Sequence, residues 1–218
     1  MQERPWLATY REFGIPAQIA PASHSSVTAM MEDAMRRFAG HTALRSLGQS
    51  LSYAEVDRLS RNFAAWLQAQ GVKPGERVAV MTPNILAFPV AMLGILRAGA
   101  VQVNVNPLYT PRELAHQLQD ADAKTLVIFN GSTPTFAEIA GETPVRRVVT
   151  AGLGLAADSK LPSPPADARL TDAISIADAL AAGESLPFSP VTSGPDDLIF
   201  LQYTGGTTGL SKGAALSH

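Results

Sequence analysis

Tyr203-Thr204-Gly205-Gly206-Thr207-Thr208-Gly209-Leu210-Ser211-Lys212-Gly213-Ala214 joins a run of small and hydroxylated residues to one lysine, one residue after the apolar run Leu198-Ile199-Phe200-Leu201. Glycines lack a Cβ, so the backbone can approach an anion closely and turn successive N–H groups toward it. Threonine and serine hydroxyls add donors, and the ammonium of Lys212 adds a compact positive charge suited to phosphate. The chemistry suggested by these types at this spacing is the cradling of a nucleotide triphosphate. The Walker loop is a different device, in which GxxxxGK and a following Ser or Thr place the lysine at the start of a helix. Here Ser211 precedes Lys212 and Gly213 follows it, so the lysine is expected in a loop running into a short strand, Ala214-Ala215-Leu216. GTPase and kinase mechanics therefore do not transfer. The competing reading is a polar hairpin whose glycines and threonines only serve a turn.

Tyr203 through Gly213 resembles the signature loop of the adenylate-forming superfamily, Tyr-Thr-Ser/Gly-Gly-Thr-Thr-Gly-x-x-Lys-Gly. A second stretch is similar to the long-chain fatty acid–CoA ligases in particular: Leu96-Arg97-Ala98-Gly99-Ala100-Val101, leading into Asn104-Val105-Asn106-Pro107-Leu108-Tyr109-Thr110-Pro111-Arg112-Glu113-Leu114. The resemblance extends from about Trp6 to His218. It implies that fatty acid and ATP give acyl-adenylate and pyrophosphate, and that the thiol of coenzyme A then gives the thioester and AMP. It also implies that Tyr203 through Ala214 contact the nucleotide, that Lys212 and Thr204 are catalytic, and that Thr204 ligates magnesium. The family's Tyr-Gly-x-Thr-Glu motif, its ribose-binding aspartate, its hinge, its CoA site and its mobile C-terminal domain do not occur in these 218 residues. The resemblance thus identifies residues 1–218 as the N-terminal portion of an adenylation domain, with the C-terminal domain absent. The alternative is a truncated, non-catalytic relative that acts only as a folding or interaction module. Acyl chain length and oligomeric state stay open.

Composition excludes several other classes. Apolar residues make up 46% and charged residues 17% of the chain, the profile of a globular α/β protein rather than a disordered one. A net charge of -2 offers no basic face for nucleic acid. Without cysteine, disulfides, thiolate catalysis and cysteine metal sites are ruled out. His24, His41, His116 and His218 are scattered, with no HExxH and no carboxylate spacing for a metal. No GxSxG elbow supports a serine hydrolase. Gly152-Leu153-Gly154-Leu155-Ala156-Ala157 matches GxGxxA, but Pro162, Pro164 and Pro165 forbid the helix that a dinucleotide site needs. Arg36-Arg37 and Arg146-Arg147 read as solvated faces, because adjacent residues do not converge on one ligand. The start lacks the apolar core of a signal peptide, and the run Ile85 to Leu96, broken by Pro89 and Gly94, falls short of the ~20 residues of a membrane span. A cytoplasmic location is expected. Peripheral contact with the inner face of the cell membrane would suit an enzyme of the resembled family, although no basic amphipathic helix argues it.

The elements that must position the loop alternate. Val27, Met30, Met31, Ala34, Met35 and Phe38 recur at helical spacing up to Gly40, and the methionine stripe and the aromatics are expected in the core rather than at a cofactor. A hairpin is expected about Gly48-Gln49, and Ser52 with Glu55 forms a capping box for a helix burying Val56, Leu59, Phe63, Trp66 and Leu67. Arg77 to Met81, Val101 to Val105, Thr125 to Phe129, Val145 to Val149 and Leu198 to Gln202 read as strands. Helices are expected over Ile85 to Arg97, from Thr110 to about Leu118, around Phe136 to Ala140, and near Ile174 to Ala182. Thr110, Pro111 and Glu113 supply an N-cap, an N1 proline and an N3 carboxylate. Residues 151–186 are expected as a surface excursion. Strands alternating with helices predict an α/β fold with a mostly parallel sheet and flanking helices.

Overall fold

Local chemistry starts and stops most elements. The structure, a computed structural model, describes residues 4–20, 22–204 and 211–218. Helix α1 (Trp6–Glu12) buries nothing, whereas α2 (Val27–Arg37) is capped by Ser26, whose hydroxyl accepts from Ala29 N. Only part of the methionine stripe on α2 is core: Met35 is buried, but Met30 and Phe38 stay exposed. Strands β1 (Thr42–Ser46) and β2 (Gln49–Ser52) pair antiparallel around Leu47 and Gly48, both at positive φ, as a two-residue hairpin turn requires. Ser52 and Glu55 close the expected capping box at the start of α3 (Tyr53–Ala69).

The next elements are β3 (Arg77–Met81), α4 (Ala87–Arg97), β4 (Val101–Asn104), α5 (Pro111–Asp120), β5 (Thr125–Phe129), α6 (Thr133–Ala137) and β6 (Arg147–Ala151). Then come β7 (Ile174–Ser175), α7 (Ile176–Glu184), β8 (Leu198–Thr204) and β9 (Lys212–Ser217). Seven strands form one sheet in the order β7-β6-β5-β3-β4-β8-β9, parallel throughout except for the last pair. Several elements differ from the sequence reading. Strand β6 begins two residues later than expected, because Lys124 O accepts from the N–H groups of both Arg146 and Arg147 before the ladder with β5 opens at Thr125 and Arg147. The two-residue β7 carries too little pattern to be read. Between them, 152–173 holds no helix or strand, while α7 buries Ile176, Ala179 and Leu180.

Alternate strand residues feed two cores. Val78, Val80, Val127 and Val149 face α3, α4 and α7, where Phe63, Leu67, Val90, Ile95 and Leu180 are buried. Ala79, Met81, Leu126 and Ile128 face α5 and α6, against Leu114, Leu118 and Phe136. Each such large side chain contributes about 1.5–3 kcal/mol when fully buried. Helices approach closely where side chains vanish: a Cβ on Gly183 would lie 2.0 Å from Asn62 O. The buried Arg97 guanidinium ties three helices together, donating to Asp57 O at 2.7 Å and Ser60 Oγ at 3.0 Å, pairing with the Asp57 carboxylate, and lying 3.2 Å from Glu32. Among the described residues no helix is long and apolar enough to cross a membrane.

Thr110 caps α5 as expected, with Glu113 N donating to its hydroxyl and the Glu113 carboxylate accepting from Thr110 N at 2.9 Å. Thr110→Ala is expected to cost about 1 kcal/mol of stability, read by urea denaturation, with nucleotide affinity unchanged. A loss of affinity at unchanged stability would instead place this segment in the site.

Candidate functional site

Strand β8 runs parallel to β4, with Gln102, Val103 and Asn104 in register with Phe200, Leu201 and Gln202. Its carboxyl end therefore lies at the carboxyl edge of the parallel strands, the edge at which open α/β sheets bind ligands. From there the chain returns as β9, antiparallel to β8, with Thr204 opposite Lys212, Tyr203 opposite Gly213 and Gln202 opposite Ala214. Lys212 is thus the first residue of a strand and not a loop residue as the sequence suggested. A strand start agrees with the exclusion of Walker geometry. Thr204, Lys212, Gly213 and Ala214 are exposed, and Ser211 is half-buried. Gly205, Gly206, Thr207, Thr208, Gly209 and Leu210, all expected to contact the nucleotide, lie outside the described residues.

The hairpin is gripped from both faces. On one, Tyr203 is buried against the core under α5, and its hydroxyl donates to Asp120 Oδ2 at 2.5 Å. Its ring covers Gly213, where a Cβ would lie 3.0 Å from Tyr203 Cε2. On the other face, Gln102 Nε2 donates to Asn104 Oδ1 at 2.6 Å, and Asn104 Nδ2 donates to Gln202 Oε1 at 2.7 Å. From α5, Gln117 Nε2 donates to the main-chain oxygen of Asn104 at 2.7 Å. Asp120, Gln102, Gln117 and Gln202 were not singled out from the sequence. Amides at 102 and 104, alternate positions of an otherwise apolar strand, were the available signal.

The other polar candidates form separate, structural contacts. Asp33 pairs with Arg36 at 2.7 Å and Arg37 at 3.5 Å, and these contacts, led by the Arg36 hydrogen bond, hold its carboxyl below the usual range. Arg147 pairs with Glu76 at 2.9 Å. His218 Nδ1 accepts from Val27 N at 3.1 Å at the start of α2, and burial lowers its pKa. No group of three or more histidine, aspartate or glutamate side chains could hold a metal among the described residues. No helix follows Gly152 to Ala157 within 158–173, in keeping with the rejected dinucleotide fingerprint.

The pattern of the AMP-binding enzyme family matches residues 31–218. The chain belongs to that family. It is 39% identical over 228 residues to a long-chain-fatty-acid–CoA ligase of Escherichia coli O157:H7, and 40% identical over 228 residues to one of Yersinia pestis. In each case the match covers 99% of this chain and 40% of the relative, so the chain spans less than half the length of these curated relatives. Its fold is also similar to the crystal structure of a long-chain-fatty-acid-CoA ligase from Archaeoglobus fulgidus, with a TM-score of 0.72 and 27% identity, covering 93% of this chain and 38% of that one.

Burial, the hydrogen bond to Asp120 and the Asp120 charge push the Tyr203 phenol well above its ordinary value of 10.0. Because the folded pKa is raised, its contribution to stability is complete below the unfolded value and is lost as pH rises through the folded one. Tyr203→Phe is accordingly expected to melt below the unsubstituted chain at about pH 8, with the gap smaller, though not closed, at about pH 11. Denaturation at both pH values measures it, and a gap that does not narrow counts against the bond.

Proposed function

We propose that this chain is the triphosphate-binding N-terminal portion of an acid–thiol ligase that activates long-chain fatty acids: ATP and the carboxylate give acyl-adenylate, and coenzyme A then gives acyl-CoA. The observation that carries the reading is Lys212, held by strand pairing opposite Thr204 at the carboxyl edge of the sheet, at the end of a loop with the family's signature. In the first step a carboxylate oxygen bonds to the α-phosphorus as the bond to pyrophosphate breaks. Negative charge builds on the leaving β- and γ-phosphates, and a pre-positioned ammonium and loop amides stabilise it electrostatically. Lys212 supplies the charge in this reading and Thr204 a hydroxyl. Gly205, Gly206 and Gly209 permit close approach, Thr207, Thr208 and Ser211 add donors, and Leu210, Gly213 and Ala214 complete the lining. Since the Tyr203 hydroxyl donates to Asp120, its proton is not available to the nucleotide.

Magnesium normally relies on one or two carboxylates plus phosphate oxygens. The described residues of the signature bring two side-chain hydroxyls besides the Tyr203 phenol, Thr204 and Ser211, and no acidic cluster, so they do not by themselves make a magnesium site. Adenine, ribose and CoA contacts belong, in this reading, to segments beyond these residues. The choice of a fatty substrate rests on the stretch Asn104 to Leu114 and on the names of the relatives. The second reading, a non-catalytic relative that only folds or binds a partner, is separated from the first by pyrophosphate release.

In the complete enzyme, Lys212→Ala is expected to depress adenylation roughly tenfold or more, since a charge-assisted bond to phosphate contributes about 1.5–3 kcal/mol and each 1.36 kcal/mol is a decade. Its melting curve should be unchanged, because the side chain is exposed. Normal pyrophosphate release, or activity lost only in step with unfolding, would return the segment to a plain hairpin. The 218 residues alone should form no acyl-CoA above a heat-killed control.

A further inference from the structure

We propose that Asn104 is a positioning residue for the phosphate loop, acting through Gln202 to set the register of β8; the proposal rests on the reading of that loop given above. The parallel ladder between β4 and β8 is short, with three register pairs, one of which is the amide pair Asn104 and Gln202. A slip of one residue would move every β8 side chain to the opposite face, taking Thr204, and with it Lys212, away from the side on which they now lie. The amide ladder forbids that slip. Asn104 Nδ2 reaches Gln202 Oε1 only when the two residues are register partners, and Gln102 fixes the rotamer of Asn104 by donating to its Oδ1.

Three further observations separate this from ordinary packing. First, the amides sit in the sheet beside Val78 and Val80, the β3 partners of Gln102 and Asn104, where apolar side chains would fill the core at lower cost. Second, Gln102 and Gln117 are both fully buried, yet Gln102 Oε1 and Gln117 Oε1 have no partner among the described residues. Burying two amide oxygens without a partner costs stability, so apolar side chains of similar size would serve packing alone better. Third, the network ends where the loop begins. With its Oε1 occupied, Gln202 turns Nε2 toward the Tyr203 carbonyl at 3.4 Å, and the next residue is Thr204. Gln117 and Asp120, on neighbouring turns of α5, hold Asn104 and Tyr203 from the other face, so the segment that follows Asn104 is tied to the hairpin twice.

The test uses Asn104→Leu and Gln202→Met, singly and together, in the complete enzyme. ATP-dependent pyrophosphate exchange is measured per folded molecule, with KM for ATP and for fatty acid, and a melting curve for each variant. Each single substitution is expected to lower kcat/KM for ATP by roughly tenfold, the scale of one misplaced hydrogen bond, with KM for fatty acid unchanged. The double variant should be no worse than either single one, because both break the same link. Gln202 is half-buried, so Gln202→Met retains the fold should Asn104→Leu lose it. Lower melting temperatures with unchanged kcat and KM for ATP, or fully additive losses, would overturn the proposal and leave a packing role. Normal exchange in Lys212→Ala would instead remove the loop reading on which it rests.

Discussion

Strand β8 satisfies two ladders at once, parallel to β4 on one edge and antiparallel to β9 on the other, and the candidate site depends on that double pairing. Parallel pairing brings the end of β8 to the edge of the sheet where loops collect. Antiparallel pairing brings the chain back, so that Lys212 stands across from Thr204 at the roughly 4.5–5.5 Å of cross-strand neighbours. A lysine rooted in a strand has its backbone entropy, about 1–2 kcal/mol per residue, removed during folding and not during binding. What remains mobile is the side chain itself, which suits a group that must meet charge as it develops.

The sheet can present that edge because its two faces are covered separately. Helices α3, α4 and α7 close one and α5 and α6 the other, with close approaches made possible by Gly94 against Phe63 and Gly183 against Asn62. Some of the polar groups that enter this interior join elements distant in sequence. Arg97 binds α2 and α3 to α4, Arg77 reaches Ala121 O at 2.8 Å and Asp122 at 2.7 Å, and the amides of β4 reach β8.

Much of this was legible in the sequence because it is written in local chemistry. Capping residues at 52 and 110, the hairpin at Gly48, whose turn lies one residue earlier than expected, and the apolar period of α3 each carry their physical cause within a few positions. The parts that were not legible depend on register. Nothing near Gln202 announces Asn104, and a strand as short as β7 has no period to detect. Lys212 was expected in a loop because Ser-Lys-Gly has the composition of one. Its strand state comes from pairing with Thr204, a contact that composition does not encode. The stripe on α2 failed in the opposite sense: its helical spacing was correct, but Met30 and Phe38 face outward, since periodicity shows that residues share a face and not that anything covers it.

The phosphate reading and the plain hairpin reading are not rivals in geometry, since both require β8 and β9 to pair. They differ in what each small residue is for. Gly213 is accounted for without any ligand: it lies in a strand, not in a turn, and a Cβ there would press tightly against the Tyr203 ring. Tyr203 is accounted for in the same way, by its burial and by Asp120. Two members of the signature therefore serve the hairpin, whatever binds to it. Lys212 has no such explanation. It is exposed, it opens a strand where a β-branched residue would pair better, and it stands at the sheet edge beside a threonine hydroxyl. The chemical content of the loop among the described residues thus narrows to Thr204, Ser211 and Lys212, and Tyr203 and Gly213 hold them in place.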